Sequence, residues 1–162
     1  MIDALTDFTQ SLPLWLQWVG VMLAAAIPFI ESYFGSAIGV IAGIHPVIVV
    51  AAAVVGNVAT MLIFVLTASA ARQKVLARRA ATGTEAEEPS PRRARIKRMF
   101  DRFGVPGVSL LGQVALPSQI TSGMMVSFGA SRNAVIFWQI ISIILWGIIF
   151  AALAAGGVAL LR

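Results

Sequence analysis

Residues 133–161 form a run of 29 positions without a charged side chain. About 20 apolar residues are enough for a helix to cross the hydrocarbon core of a bilayer. Four more stretches carry no charge: 8–30, 32–44, 46–71 and 103–131. Only 12% of the 162 residues are charged, about half the share usual in a soluble domain. The sequence therefore predicts an all-α integral membrane protein.

What charge remains is unevenly placed. The formal net charge is +5, yet ten of the twelve Lys and Arg residues fall between 72 and 102, beside the apolar runs. That is the pattern of a cytoplasmic loop obeying the positive-inside rule rather than of a nucleic-acid surface. No nucleic-acid partner is expected. Cysteine is absent and histidine occurs once, so thiolate chemistry and a His-rich metal cluster are both excluded. No Ser/His/Asp set or phosphate loop is recognisable, and neither an enzyme nor a cofactor is expected. Asp3 and Asp7 stand where a secretory signal would need positive charge.

Two interruptions divide the apolar sequence. In the first half, 12–26 (LPLWLQWVGVMLAAA) is broken by "IPFIES", and 33–44 resumes for about twelve residues before His45-Pro46. The residue before proline is pushed away from helical geometry. A full span over 46–71 follows. In the second half, 105–116 is broken by "PSQITS" at 117–122, and 123–130 resumes before Ser131-Arg132-Asn133. A second span over 134–161 follows.

Twelve helical residues rise about 18 Å, roughly half the hydrocarbon thickness. The pattern predicts two inverted repeats, each a re-entrant helical hairpin (12–44 and 105–130) followed by a transmembrane helix (46–71 and 134–161). The breaks at Pro28 and Pro117 would meet near the midplane, and paired interruptions of this kind point to a transporter's binding site. The alternative is a plain bundle with proline kinks in which 103–131 crosses fully. That would move Arg132 outside, against the positive-inside bias.

Between the halves, 72–102 reads as a cytoplasmic basic loop with a mobile turn around "TGTEAEEPSP". Ser90-Pro91 is a helix start signal. Ile96, Met99, Phe100 and Phe103 then share one face of a helix over 91–103, with arginines and lysines around the rest. Such a helix lies in the membrane interface and attracts anionic head groups.

Glu31 is the sharpest candidate for chemistry. A carboxylate at mid-membrane costs at least about 2.5 kcal/mol on insertion scales, so it faces a partner or a wet cavity. There it could carry a proton or neutralise a cationic group. Ser32, Tyr33, Ser118, Gln119, Thr121 and Ser122 supply neutral donors and acceptors around the two breaks. Backbone groups freed by a broken helix need such partners at membrane depth, so these residues have a structural reason to be there as well as a binding one. Asn57 in "VVGN" is expected to bond a neighbouring helix or to touch substrate. Gln139 and Ser142 are its candidate counterparts.

"AIPFIESYFGSAIG" at 26–39, "VVGN" at 54–57, "FDRFG" at 100–104 and "VALPSQITSG" at 114–123 resemble the bacterial small multidrug export proteins. That family is itself similar to the DedA, or SNARE-associated (VTT), membrane proteins. The resemblance implies a bacterial inner-membrane transport protein with opposed re-entrant segments, and for the wider superfamily a role in moving lipids across the bilayer. Two departures stand out. An acid and an arginine of the family pattern are replaced by Met22 and Ala24, and arginines near the second break by Gln113 and Gln119. No anion-binding arginine pair is carried over into the hairpins.

The expected function is movement of a small organic, cationic or amphiphilic substrate, coupled to protons through Glu31. The substrate or proton site would comprise Pro28, Glu31, Ser32, Tyr33, Asn57, Pro117, Ser118, Gln119 and Thr121. A DedA-like flippase or scramblase of an anionic lipid is the alternative. Membrane lipids are the expected surroundings. Two spans make a thin scaffold, so a homodimer is expected.

Overall fold

Proline and glycine set most of the element boundaries. The computed structural model describes residues 2–82, 90–113 and 116–160, with Arg92 described by its backbone alone. Residues 83–89 of the expected turn, and Val114 and Ala115 near the end of the apolar arm 105–116, lie outside the described residues. Seven α-helices, and no strand, occur among the described residues: α1 Ile2–Ser11, α2 Gln17–Ala25, α3 Glu31–Ile41, α4 Pro46–Thr82, α5 Pro91–Gly112, α6 Ser118–Phe128 and α7 Arg132–Leu160. A 3-10 turn, Leu14–Leu16, leads into α2.

Two of these helices, α4 and α7, are long and apolar enough to cross a membrane. Helix α4 starts on Pro46, the favoured first helical residue, and the backbone N–H of Val47 donates to Nδ1 of His45 at 3.4 Å. It runs 37 residues to Thr82, well past the span expected to end at 71. Five alanines between 70 and 81 explain the extension, because alanine is the strongest helix former. What reads as the start of a basic loop is thus the basic end of a helix.

The chain divides into two compact units. Residues 1–60 with 140–162 form the first, and 61–139 the second. In the first, α2 and α3 pack antiparallel as a helical hairpin. A Cβ at Gly35 would lie 2.7 Å from the Ala25 Cβ, and one at Gly39 would lie 2.8 Å from Val21, so the lack of a side chain sets the approach. Helix α1 was not expected. It joins the hairpin where Gly20 meets the buried Thr9. Val21, Ala25, Val40, Val49, Ala53 and Ala151 make the unit's apolar core.

In the second unit, α5 and α6 form another antiparallel pair. Ser90 caps α5 by accepting from the Arg93 backbone N–H, with Pro91 next. The helix kinks at Gly104, whose φ of 64° and ψ of −168° are open to glycine and hardly to any other residue. Residues 91–103 and 105–112 are therefore two straight pieces. Pro106 falls in the first turn of the second piece, where its missing N–H does no harm. The apolar face of the first piece is partly covered by protein rather than left for lipid: Ile96 is buried and Phe100 packs on Phe128 of α6. Phe103 remains exposed.

Candidate functional site

The break after α2 is a strained turn. Ala26 and Ile27 N–H groups still bond back into α2, and the Ile30 and Glu31 N–H groups both reach the Ile27 carbonyl at 3.1 Å. Pro28 has no N–H to continue the helix. Phe29 and Glu31 then adopt positive φ, 74° and 53°. In a residue with a Cβ this conformation costs about 1–2 kcal/mol, and it persists only where the surroundings over-determine it.

That turn places Glu31, the first residue of α3, at full burial. Ser32 beside it is also fully buried and donates to the main-chain carbonyl of Ile143 on α7 at 2.7 Å. Tyr33 is half-buried, and its hydroxyl donates to the Phe29 carbonyl at 3.3 Å. Its ring begins an aromatic cluster: Tyr33 and Phe34 are 4.9 Å apart, Tyr33 and Phe150 5.3 Å, and Trp146 and Phe150 6.1 Å. A carboxylate two residues from a cluster of ring faces is a chemistry suited to cations, since both attract positive charge.

Asn57 belongs to the same unit and is fully buried. Its neighbour Gly56 sits against the main-chain carbonyl of Met22 on α2, where any Cβ would collide. The Thr60 hydroxyl donates back to the Asn57 carbonyl at 3.0 Å.

The second break builds a different site. Pro117 is the N-cap of α6, and its carbonyl accepts from the Thr121 backbone N–H at 3.0 Å. Ser118, Gln119, Thr121 and Ser122 are all buried. Ser118 donates to Oε1 of Gln119 at 3.5 Å, and Ser122 to the Gln119 carbonyl at 3.0 Å. The Thr121 hydroxyl lies 3.2 Å from both the Pro117 and the Ser118 carbonyls. With its proton directed there, it can only accept from Nε2 of Gln139 on α7, 3.3 Å away. This fixes the orientation of the Gln139 amide. Its Oε1 is turned away and has no hydrogen-bond partner among the described residues. Both amide atoms of the buried Gln113 are likewise unbonded among them.

The expected site residues thus fall into two groups, Pro28, Glu31, Ser32, Tyr33 and Asn57 in the first unit and Pro117, Ser118, Gln119 and Thr121 in the second. Sequence reasoning treated Gln113 only as a departure from a family pattern, although a glutamine inside a charge-free run is itself a signal of a polar interior. It gave no hint of the ring cluster, because Tyr33 and Phe150 are 117 positions apart. Among the described residues no three of His, Asp and Glu stand close enough to hold a metal ion. The chain matches no family model, no curated protein and no solved structure.

Proposed function

We propose that this chain is a membrane-embedded transport protein of the small multidrug export type. It moves a small organic, cationic or amphiphilic solute, with Glu31 as the group that exchanges a proton or a cation for it. In this reading α4 and α7 span a bacterial inner membrane, and the basic segment 72–102 faces the cytoplasm. The pair α2–α3, and residues 105–112 with α6, are re-entrant hairpins that dip partway into the lipid. A second copy covers part of the apolar surface, since only 17% of the most apolar window of α7 is buried within the chain.

The observation that carries the reading is the full burial of Glu31, the charged side chain among the buried residues described, at a strained break. Burying an ionisable group without a function is expensive in lipid, and so is holding two side chains at positive φ. The nearby ring cluster of Tyr33, Phe34, Phe150 and Trp146 supplies a surface for an organic cation. The test is uptake of a fluorescent organic cation into proteoliposomes under an imposed pH gradient. Glu31→Gln should abolish the gradient-driven flux while Glu31→Asp retains part of it. Equal flux in wild type and Glu31→Gln would remove the proposal.

A second reading, a flippase or scramblase of an anionic lipid, is favoured by the buried neutral amides of Gln113 and Gln139. They could pass a polar head group without holding it by charge. Labelled-lipid translocation that proceeds without any pH gradient, and survives Glu31→Gln, supports this reading against the first. No flux of either kind leaves a membrane scaffold.

A further inference from the structure

Two arginines of the second unit reach residues 127–129, beside a mostly apolar groove. The groove, of about 400 Å³, lies between α4 and α6 and is lined by Phe64, Thr67 and Ala68 on one side and Ile120, Gly123 and Met124 on the other. At Gly123 there is room for a Cβ, which would make ordinary contact with Ala68 at 3.6 Å. From Phe64 to Ala71 the groove follows eight residues of α4, about 10 Å of helix. Its far end is Ser127.

At that end Nη2 of Arg93 donates to Ser127 Oγ at 3.3 Å, and its guanidinium stands over the Phe128 ring at 5.3 Å. Arg72, the residue after Ala71 on α4, brings its Nη2 to within 3.3 Å of where a Cβ on Gly129 would be. Neither guanidinium is paired with a carboxylate among the described residues. The ion pair found among the described residues is Lys97 with Asp101, at 2.7 Å. Two guanidinium groups without a carboxylate partner among the described residues approach residues 127–129, beside a groove whose lining is mostly apolar, with Thr67, Gln119 and Ser127 as its polar members.

We infer that this groove is a binding site for one anionic phospholipid, with the phosphate on Arg72 and Arg93 and one acyl chain lying along Phe64, Ala68, Ile120 and Met124. Charge complementarity selects this occupant. A lipid without a phosphate would leave both guanidinium groups unanswered, a zwitterionic one would bring its own cation up beside them, and a chainless phosphate would leave the groove empty. Arginine forks match phosphate oxygens in pairs, and basic residues beside an apolar span are placed where anionic lipid headgroups lie. The site differs from diffuse attraction by the basic helix face because it uses two particular arginines on different helices. It does not depend on the transport reading, and its test needs no transported solute.

The experiment uses the full chain in neutral detergent, with thermal unfolding and lipid occupancy by native mass spectrometry as readouts. Phosphatidylglycerol, phosphatidylcholine of the same chains, and glycerol phosphate are compared at equal concentration. Phosphatidylglycerol should raise the midpoint most and bind one to a chain, with glycerol phosphate giving no shift. Arg72→Gln with Arg93→Gln should weaken phosphatidylglycerol about tenfold or more and phosphatidylcholine, whose phosphate already sits beside its own ammonium, by clearly less. Ala68→Leu, which fills the groove without touching either arginine, should lower occupancy by both lipids. Three outcomes overturn the site: phosphatidylglycerol preference that survives the double substitution, an equal shift with glycerol phosphate, or an equal loss on replacing Arg95 and Arg98 instead. If the arginines serve only to hold the end of α6, the double variant unfolds earlier without lipid and keeps the full phosphatidylglycerol increment. That result also overturns it.

Discussion

Ser32 and Ser36 sit one turn apart on the same face of α3, both fully buried against Gly147 of α7, yet only Ser32 finds an acceptor there. A Cβ at Gly147 would be 3.4 Å from Ser36 Oγ and 3.5 Å from the Ser32 Cβ, in ordinary contact with both, so the two serines face this point of α7. The Ser32 hydroxyl donates to the Ile143 carbonyl. The Ser36 hydroxyl has no hydrogen-bond partner among the described residues.

The two serines should therefore respond differently to loss of the hydroxyl. Ser32→Ala removes a buried hydrogen bond and should destabilise the chain by about 1 kcal/mol. Ser36→Ala removes an unsatisfied polar atom and should be neutral or slightly stabilising. Equilibrium unfolding in mixed micelles reads both. A larger loss from Ser36→Ala would contradict the packing described.

Glycines of α4 and α7 offer a second contrast. Gly56 lies against a main-chain carbonyl, which cannot move aside as a flexible side chain could. Gly56→Ala should cost about 1–3 kcal/mol through overpacking, with separation of α4 from α2 as the way of relieving it. Gly156 has nothing within 4 Å of its would-be Cβ. Gly156→Ala should raise stability by as much as about 1 kcal/mol through helix propensity alone. Unfolding midpoints of the two variants should move in opposite directions.

At Gly104 there is room for a side chain, since the nearest atom to a Cβ is Pro106 Cδ at 3.6 Å. The conformation is the obstacle. Gly104→Ala should cost about 1–2 kcal/mol or straighten the kink. Spin labels at Arg98 and Leu111, one on each piece of α5, should report a longer separation in the variant if the kink opens. An unchanged distance at unchanged stability would show that the positive φ does not matter.

The Thr121–Gln139 bond predicts non-additive substitution effects. Thr121→Val leaves the Gln139 amide without its acceptor and should cost about 1–3 kcal/mol. Adding Gln139→Leu to that variant should recover most of the loss, because both polar partners are then gone. Additive losses in the double-mutant cycle would mean that the two residues do not depend on each other.

Several features could be read from local sequence, for a common reason: each rests on the chemistry of a few adjacent residues. Proline at 28, 46 and 117 interrupts or starts helices because it lacks an N–H, and Ser90-Pro91 begins α5 for the same reason together with a side-chain cap. Lengths without charge were enough to mark α4 and α7 as membrane-span candidates. Asp3 and Asp7 obscure α1 in the sequence, although Ile2, Leu5, Phe8 and Thr9 recur at helical spacing. Helix α4 continues past 71 because alanine carries it on, as the Ala-rich start of 72–90 allows.

By itself the sequence determined where the chain can be helical, where it must break, and that it has two stretches apolar enough to cross a lipid core. Those are properties of backbone donors and of side-chain transfer energies, and they need no partner. Only the tertiary structure decided that Phe29 and Glu31 take left-handed φ, that Ser32 rather than Ser36 bonds α7, that Gln139 turns its amide nitrogen to Thr121, and that Arg72 and Arg93 both approach residues 127–129. Each of those depends on which atoms lie within about 3 Å after distant segments pack, and a distance between residues tens of positions apart is not written in the order of either segment.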